Sequence, residues 1–348
     1  ASGPIGGLNR TLETVVQQSR QPIERNLAVE LVRVTEAAAM SAALHMGKGD
    51  KELVDQAAVD AMRHTLSGIS MDGVVVIGEG EKDEAPMLYN GERIGDGSEP
   101  AVDIAVDPID GTTLLAKGLP GAIAVLAMSA RGTMNVPREV FYMNKIAVGP
   151  EARDVIDLDA PVAHNLTKIA GALGKPVTEL TVIMLDRPRH ADLLRDVRTA
   201  GARVKMISDG DVAAGIQAAL PNSGVDVLMG IGGSPEGVIT AAAIRCTGGA
   251  ILCKPWPRDE KEKQLCLESG LDLNRVYSTE DLVGGDDVFF AATGASTGEL
   301  LRGVNFVVNG AITHSLVMRS RSGTIRWIDS IHNFSRLDKV RFQQPAAR

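Results

Sequence analysis

The chain has 348 residues, 44% of them apolar and 23% charged, with 37 glycines against 16 prolines. That size and mixture exclude disorder, collagen and coiled coil and leave room for about two domains of roughly 150 residues. Lys and Arg number 36 against 44 Asp and Glu, a net charge of -8, so no broad attraction to nucleic acid or to an anionic membrane is expected. The cysteines Cys246, Cys253 and Cys266 are an odd number, spaced for neither a zinc ribbon nor a disulfide framework. They read as reduced thiols of a cytoplasmic protein. No apolar run reaches the ~18 residues that span a bilayer, and residues 1–25 lack a signal peptide's apolar centre and read as a flexible extension.

In chain order, the first helix is expected from Asn26, a good N-cap, with Leu27, Leu31, Val34 and Ala38 on one face and Gly47 and Gly49 stopping it. A second starts near Asp55, with Ala58, Met62 and Leu66 spaced by four. The period then changes: short apolar runs at 74–77, 101–106 and 122–128, each bounded by turn residues, read as buried strands. The second half alternates a strand at 181–185, a helix at 190–200, a strand at 204–207, a helix at 212–220, a strand at 225–229 and a helix at 235–246. That alternation indicates an α/β architecture. Turn residues at 157–161 suggest a boundary between a subdomain of residues 26–160 and one of residues 161–340, with residues 341–348 as a tail.

The charge is not spread evenly. Residues 72–110 hold eleven acids against Lys82 and Arg93, a net of -9, while the rest of the chain sums to +1. Glu79 and Glu81 directly follow the strand at 74–77, and Asp107 and Asp110 follow the strand at 101–106. If the two strands are parallel neighbours, their carboxyl ends deliver four carboxylates to one edge. Carboxylates that close repel one another, and a hard divalent cation relieves them. With six histidines and no HxH or HExxH arrangement near the acid, Mg²⁺ or Mn²⁺ fits better than zinc. Glu84, Glu92, Asp96 and Glu99 lie in a turn-rich stretch and read as a solvated face.

The run Asp107-Pro108-Ile109-Asp110-Gly111-Thr112-Thr113 resembles the metal-dependent, lithium-sensitive sugar phosphatases, the superfamily of inositol monophosphatase and fructose-1,6-bisphosphatase. Longer strings are similar to class II fructose-1,6-bisphosphatase. They are Gly47-Lys48-Gly49-Asp50-Lys51, the stretch from Ile77 through Glu79-Gly80-Glu81 to Tyr89, Arg187-Pro188-Arg189-His190, Ser208-Asp209-Gly210-Asp211 and Gly230-Ile231-Gly232-Gly233-Ser234-Pro235-Glu236-Gly237. The resemblance runs from about Asn26 to Lys339. It implies a layered α-β-α-β-α sandwich of two α/β subdomains with the active site between them.

The resemblance also implies metal ligands at Asp55, Glu79, Asp107, Asp110 and Glu236, binding Mn²⁺ or Mg²⁺. Substrate contacts map to Asp110, Gly111, Thr112, Tyr142, Arg187, Pro188, Arg189, Asp209, Gly210, Asp211 and Gly233. Arg187 and Arg189 suit the phosphate that is not cleaved, because a guanidinium fork matches phosphate oxygens; Tyr142 can add a hydroxyl donor, and Asp209 and Asp211 can accept from sugar hydroxyls. Thr112 is the candidate to orient the attacking water, Glu79 or Asp83 to take its proton, and Lys51 to add positive charge. The implied activity is removal of the 1-phosphate of fructose 1,6-bisphosphate in gluconeogenesis, by a homo-oligomer (dimer or tetramer). The alternatives are a dual fructose-1,6-/sedoheptulose-1,7-bisphosphatase, which Gln56 after Asp55 resembles, a phosphatase of another sugar bisphosphate or of an inositol phosphate, and a noncatalytic sugar-phosphate sensor. The segment 252–263 departs from the family pattern and reads as a variable loop.

Overall fold

The computed structural model describes residues 27–80, 87–135 and 137–336. In chain order its elements are α1 (Ala28–Ala43), α2 (Lys51–Leu66), β1 (Asp72–Ile77), β2 (Arg93–Ile94), β3 (Ala101–Asp110), α3 (Thr112–Ala116), β4 (Ile123–Ala130), β5 (Tyr142–Val148), α4 (Val162–Leu173), β6 (Thr181–Leu185), α5 (Ala191–Thr199) and β7 (Arg203–Ile207). They continue with α6 (Asp211–Ala219), β8 (Val227–Gly233), α7 (Ser234–Thr247), β9 (Ala250–Pro255), α8 (Glu260–Glu268), α9 (Thr279–Leu282), β10 (Phe289–Gly294), β11 (Asn305–Val307), β12 (Gly310–Arg319) and β13 (Thr324–Asn333).

The apolar stripe expected on α1 is buried at all four positions, Leu27, Leu31, Val34 and Ala38. The expected cap Asn26 lies outside the described residues. Helix α2 starts four residues before the expected Asp55, because Asp50 caps it by accepting a hydrogen bond from Leu53 N at 2.9 Å. Its Ala58, Met62 and Leu66 are fully buried, and a Met or Leu so placed contributes about 1.5–3 kcal/mol. The segment expected as a loop at 252–263 is instead the end of β9 and the start of α8, which Asp259 caps by accepting from Glu262 N. Glu92, expected on a solvated face, is buried against Arg63 Nε at 2.9 Å.

Among the described residues, two sheets form. The larger has the order β11-β12-β10-β4-β3-β1-β2, with β13 added alongside β12; the smaller is β7-β6-β8-β5-β9. Helices α1 and α2 cover one face of the larger sheet, where Leu31, Met62, Ile104 and Leu126 share a core. Helices α6 and α7 lie between the sheets, joining Ile123 and Val125 of β4 to Met143 and Ala147 of β5. On the outer face of the smaller sheet Leu166 and Ile169 of α4 and Val197 of α5 pack on Val182 and Val227. The layers therefore run α-β-α-β-α. Sheet membership does not follow the boundary expected at 157–161: β5 precedes it yet lies in the smaller sheet, and β10 to β13 return to the larger one. No described helix is long and apolar enough to cross a membrane, and the three cysteines are free and buried.

Candidate active site

Strands β1 and β3 are parallel neighbours, with Val75 opposite Ile104 and Ile77 beside Ala105. Their carboxyl ends therefore share an edge, as the placement of the acids requires. Beyond β1, Glu79 N donates to Leu88 O at 3.0 Å. A Cβ at Gly78 would lie 1.8 Å from that same carbonyl oxygen, so glycine is what lets the chain bring Glu79 to the edge.

The other pair depends on a bulge. Strand β3 does not end at Val106 but continues to Asp110, and its pairing with β4 shifts between Asp107, opposite Val125, and Asp110, opposite Ile123. Two residues three apart on a regular strand face opposite sides, and the extra residue of a bulge returns them to one side. Pro108, lacking an N–H, is tolerated at such an irregularity. Because Ile123 and Val125 both belong to the core between the sheets, Asp107 and Asp110 face the middle layer. Gly111 then takes a left-handed conformation (φ 88°) and starts α3.

Both middle helices begin at this face. Asp110 Oδ2 accepts a hydrogen bond from Ala213 N in the first turn of α6 at 3.3 Å, and Glu236 stands in the first turn of α7. A helix N-terminus favours negative charge. Even so, the carboxylates strain against one another. Desolvation pushes Glu79 up to about 8, with the Asp55 carboxylate adding repulsion, and Asp55 is itself raised by burial while sharing a hydrogen bond with Glu79. Asp107 is raised well above the carboxylate range by desolvation and then by Asp110, Glu236, Glu79 and Asp55, and Asp110 by desolvation and then by Asp211 and Glu236. Desolvation also raises Glu236. The mutual repulsion identifies Asp55, Glu79, Asp107, Asp110 and Glu236 as one electrostatic cluster. Its donors are all oxygen, and Glu236 Oε2 is buried without a hydrogen-bond partner among the described residues, which fits a hard divalent cation. Among the described residues, no three acidic, histidine or cysteine side chains are closed around a point as a finished cation site. The fit rests on donor chemistry and the unpartnered oxygen.

From this cluster the loop Ser208-Asp209-Gly210-Asp211 leads to the arginines. A Cβ at Gly210 would lie 3.4 Å from Asp110 Oδ2, and Asp209 Oδ1 lies 3.6 Å from Arg187 Nη2. Arg187 Nη1 also donates to Ser208 O at 2.7 Å. Pro188 and Arg189 form the turn before α5. Arg189 donates from Nε and Nη2 to Ile231 O at 3.2 and 2.8 Å and stands 4.7 Å over the ring of Tyr142. Tyr142 is braced edge-on by Trp256. Thr112 Oγ1 donates to Ile109 O at 2.9 Å, which commits its proton and leaves its lone pairs to accept from a water. Gly233 precedes α7, and a Cβ there would meet Glu236 Oε2 at 1.8 Å.

Asp211, expected to accept from sugar hydroxyls, already holds a cation on one of its oxygens. It is the first residue of α6 and is buried with Lys145 Nζ 2.8 Å from its Oδ2. Lys145 was not among the residues singled out by sequence. Its signal is a lysine followed by the apolar run Ile146-Ala147-Val148 in a strand that begins at Tyr142. Lys51 is exposed in the first turn of α2. Glu81, Asp83 and Glu84 lie outside the described residues.

The sequence matches known proteins over most of its length. The family model "Bacterial fructose-1,6-bisphosphatase, glpX-encoded" matches residues 25–332. A D-fructose 1,6-bisphosphatase class 2/sedoheptulose 1,7-bisphosphatase of Synechococcus sp. (strain JA-3-3Ab) is 44% identical over 335 residues, 89% of this chain and 96% of that protein. Fructose-1,6-bisphosphatase 1 class 2 of Escherichia coli (strain K12) is 46% identical over 330 residues, 91% of this chain and 98% of that one. Among solved structures, the extragenic suppressor protein suhB of Bartonella henselae aligns with 56% of this chain and 71% of its own at 13% identity and a TM-score of 0.31, too slight a likeness to bear on the site.

Proposed function

Because the chain belongs to the bacterial class 2 fructose-1,6-bisphosphatase family, we propose that it hydrolyses the 1-phosphate of fructose 1,6-bisphosphate to give fructose 6-phosphate and phosphate, as in gluconeogenesis. The observation that carries this is two unlike groups of residues: five mutually repelling carboxylates, and Arg187 and Arg189 with Tyr142, linked through the loop at 208–211. A monophosphate has no use for the second group.

Asp55, Glu79, Asp107, Asp110 and Glu236 would hold Mn²⁺ or Mg²⁺, which supplies charge neutralisation at the reacting phosphate and acidifies the attacking water. The backbone at Gly111 and Thr112 cradles that phosphate. Thr112 accepts a hydrogen bond from the attacking water and so aims it, and Glu79 takes its proton, with Asp83 the other candidate. Lys51 adds positive charge. Arg187 and Arg189, on either side of Pro188, hold the phosphate that stays, and Asp209, Gly210, Asp211 and Gly233 line the sugar. We place the enzyme in the cytoplasm as a homo-oligomer, dimer or tetramer. A dual action on sedoheptulose 1,7-bisphosphate is the second reading, favoured by the name of the Synechococcus relative and by Gln56. A phosphate-release screen over sugar mono- and bisphosphates with each divalent metal tests both. Release is expected from fructose 1,6-bisphosphate with Mn²⁺ or Mg²⁺; binding of that sugar with no release would mean a sensor.

A further inference from the structure

His190 closes the Arg187-Pro188-Arg189-His190 string, and the proposed reaction gives it no part. Its imidazole is buried at 2% exposure, with Nδ1 2.7 Å from Leu185 O and Nε2 2.7 Å from Ile231 N. The partners fix the tautomer. Ile231 N can only donate, so Nε2 accepts, and the ring proton sits on Nδ1 and is donated to Leu185 O. Ile231 is the same residue whose carbonyl receives both bonds from Arg189. One residue of β8 is thus gripped by its N–H through His190 and by its C=O through Arg189. Space for the ring comes from Gly230 (φ 136°), where a Cβ would lie 3.0 Å from Cε1 and Nε2 of the imidazole.

We propose that His190 is a positioning residue whose neutral, Nδ1-protonated imidazole staples β6 to β8, so that Ile231 O holds Arg189 over Tyr142 for the phosphate that is not cleaved. The inference rests on the function proposed above. A proton gained at Nε2 turns the acceptor toward Ile231 N into a second donor, and the staple opens. The charged groups around the ring are Arg187 and Arg189 on its own segment, which disfavour that proton, and the Lys145–Asp211 pair across a small cavity. Burial foremost holds the imidazole below its ordinary value, so opening belongs to acid conditions.

The test is steady-state kinetics of the Mn²⁺-loaded enzyme on fructose 1,6-bisphosphate and on fructose 1-phosphate, which lacks the second phosphate, between about pH 5 and pH 8, where imidazole titrates. His190→Phe is expected to raise KM for the bisphosphate about tenfold with kcat within about twofold, and to raise KM for the monophosphate far less. In the wild type, the ratio of bisphosphate to monophosphate KM rises toward acid. In His190→Gln, whose amide oxygen accepts from Ile231 N at any pH, the rise is smaller and follows only the titration of the extra phosphate, at about pH 6. Taking the ratio removes the ionisation that both substrates share, and the Gln variant decides the matter if the Phe variant fails to fold. Equal KM increases for the two substrates, or the same pH course in wild type and His190→Gln, would overturn the staple. Arg189→Ala separates the premise: if it fails to weaken the bisphosphate more than the monophosphate, the arginine end is not a phosphate clamp and both readings fall.

Discussion

Lys145 is a buried cation drawn into the acidic face, and its sequence context gives little warning of it. A lysine in a strand reads as an edge or solvent-facing residue; that this one is buried is decided by Asp211, 66 residues away. Desolvation works against its charge, yet Asp211 and Glu236 hold the ammonium above its ordinary range. Removing one partner of a buried pair strands the other, which costs about 3–5 kcal/mol. Lys145→Met is therefore expected to lower unfolding free energy in urea by about that amount, and a change under about 1 kcal/mol would mean that the pair is solvated. Glu92 is buried for the same reason, since its partner Arg63 lies on a different element that local patterning does not report. Glu79, Asp107 and Asp110 were legible because strand ends are local: an apolar run that stops at an acid is visible without knowing the fold.

At the scale of elements, runs that carry their own period were legible and runs governed by caps or bulges were not. The strand at 101–106 could be read, but its continuation through Pro108 follows from pairing with β4. Helix α8 escaped because Leu265 and Leu267 are exposed while Cys266 is buried, so no apolar stripe marks it. The start of α7 is the element on which the site depends most. Gly233 leaves no room for a side chain beside Glu236 Oε2, and Gly233→Ala must displace that carboxylate. Misplacement of a reacting or ligating group by an ångström can cost about 100-fold, and a loss of that size in metal-dependent phosphate release is expected, with the thermal midpoint close to wild type. Activity within about tenfold of wild type would show that Glu236 is free to move without consequence.

For the whole molecule, the α/β class and the alternation of its second half were legible, and the pairing of the sheets was not. Strand β5 crosses to the smaller sheet and β10 to β13 return to the larger one, contacts set by distant segments that local patterning does not report. The layering explains the charge. The -9 of residues 72–110 includes Glu79, Asp107 and Asp110 at one sheet edge, under the N-termini of α6 and α7, while the arginines come from the smaller sheet across the middle layer. In the proposed reaction the carboxylate end cleaves and the arginine end retains. Phosphorus NMR of the product of fructose 1,6-bisphosphate, taken before a second phosphate is released, tests it directly. Fructose 6-phosphate with one equivalent of inorganic phosphate is predicted; fructose 1-phosphate, or unchanged bisphosphate in the presence of Mn²⁺ and Mg²⁺, would contradict it.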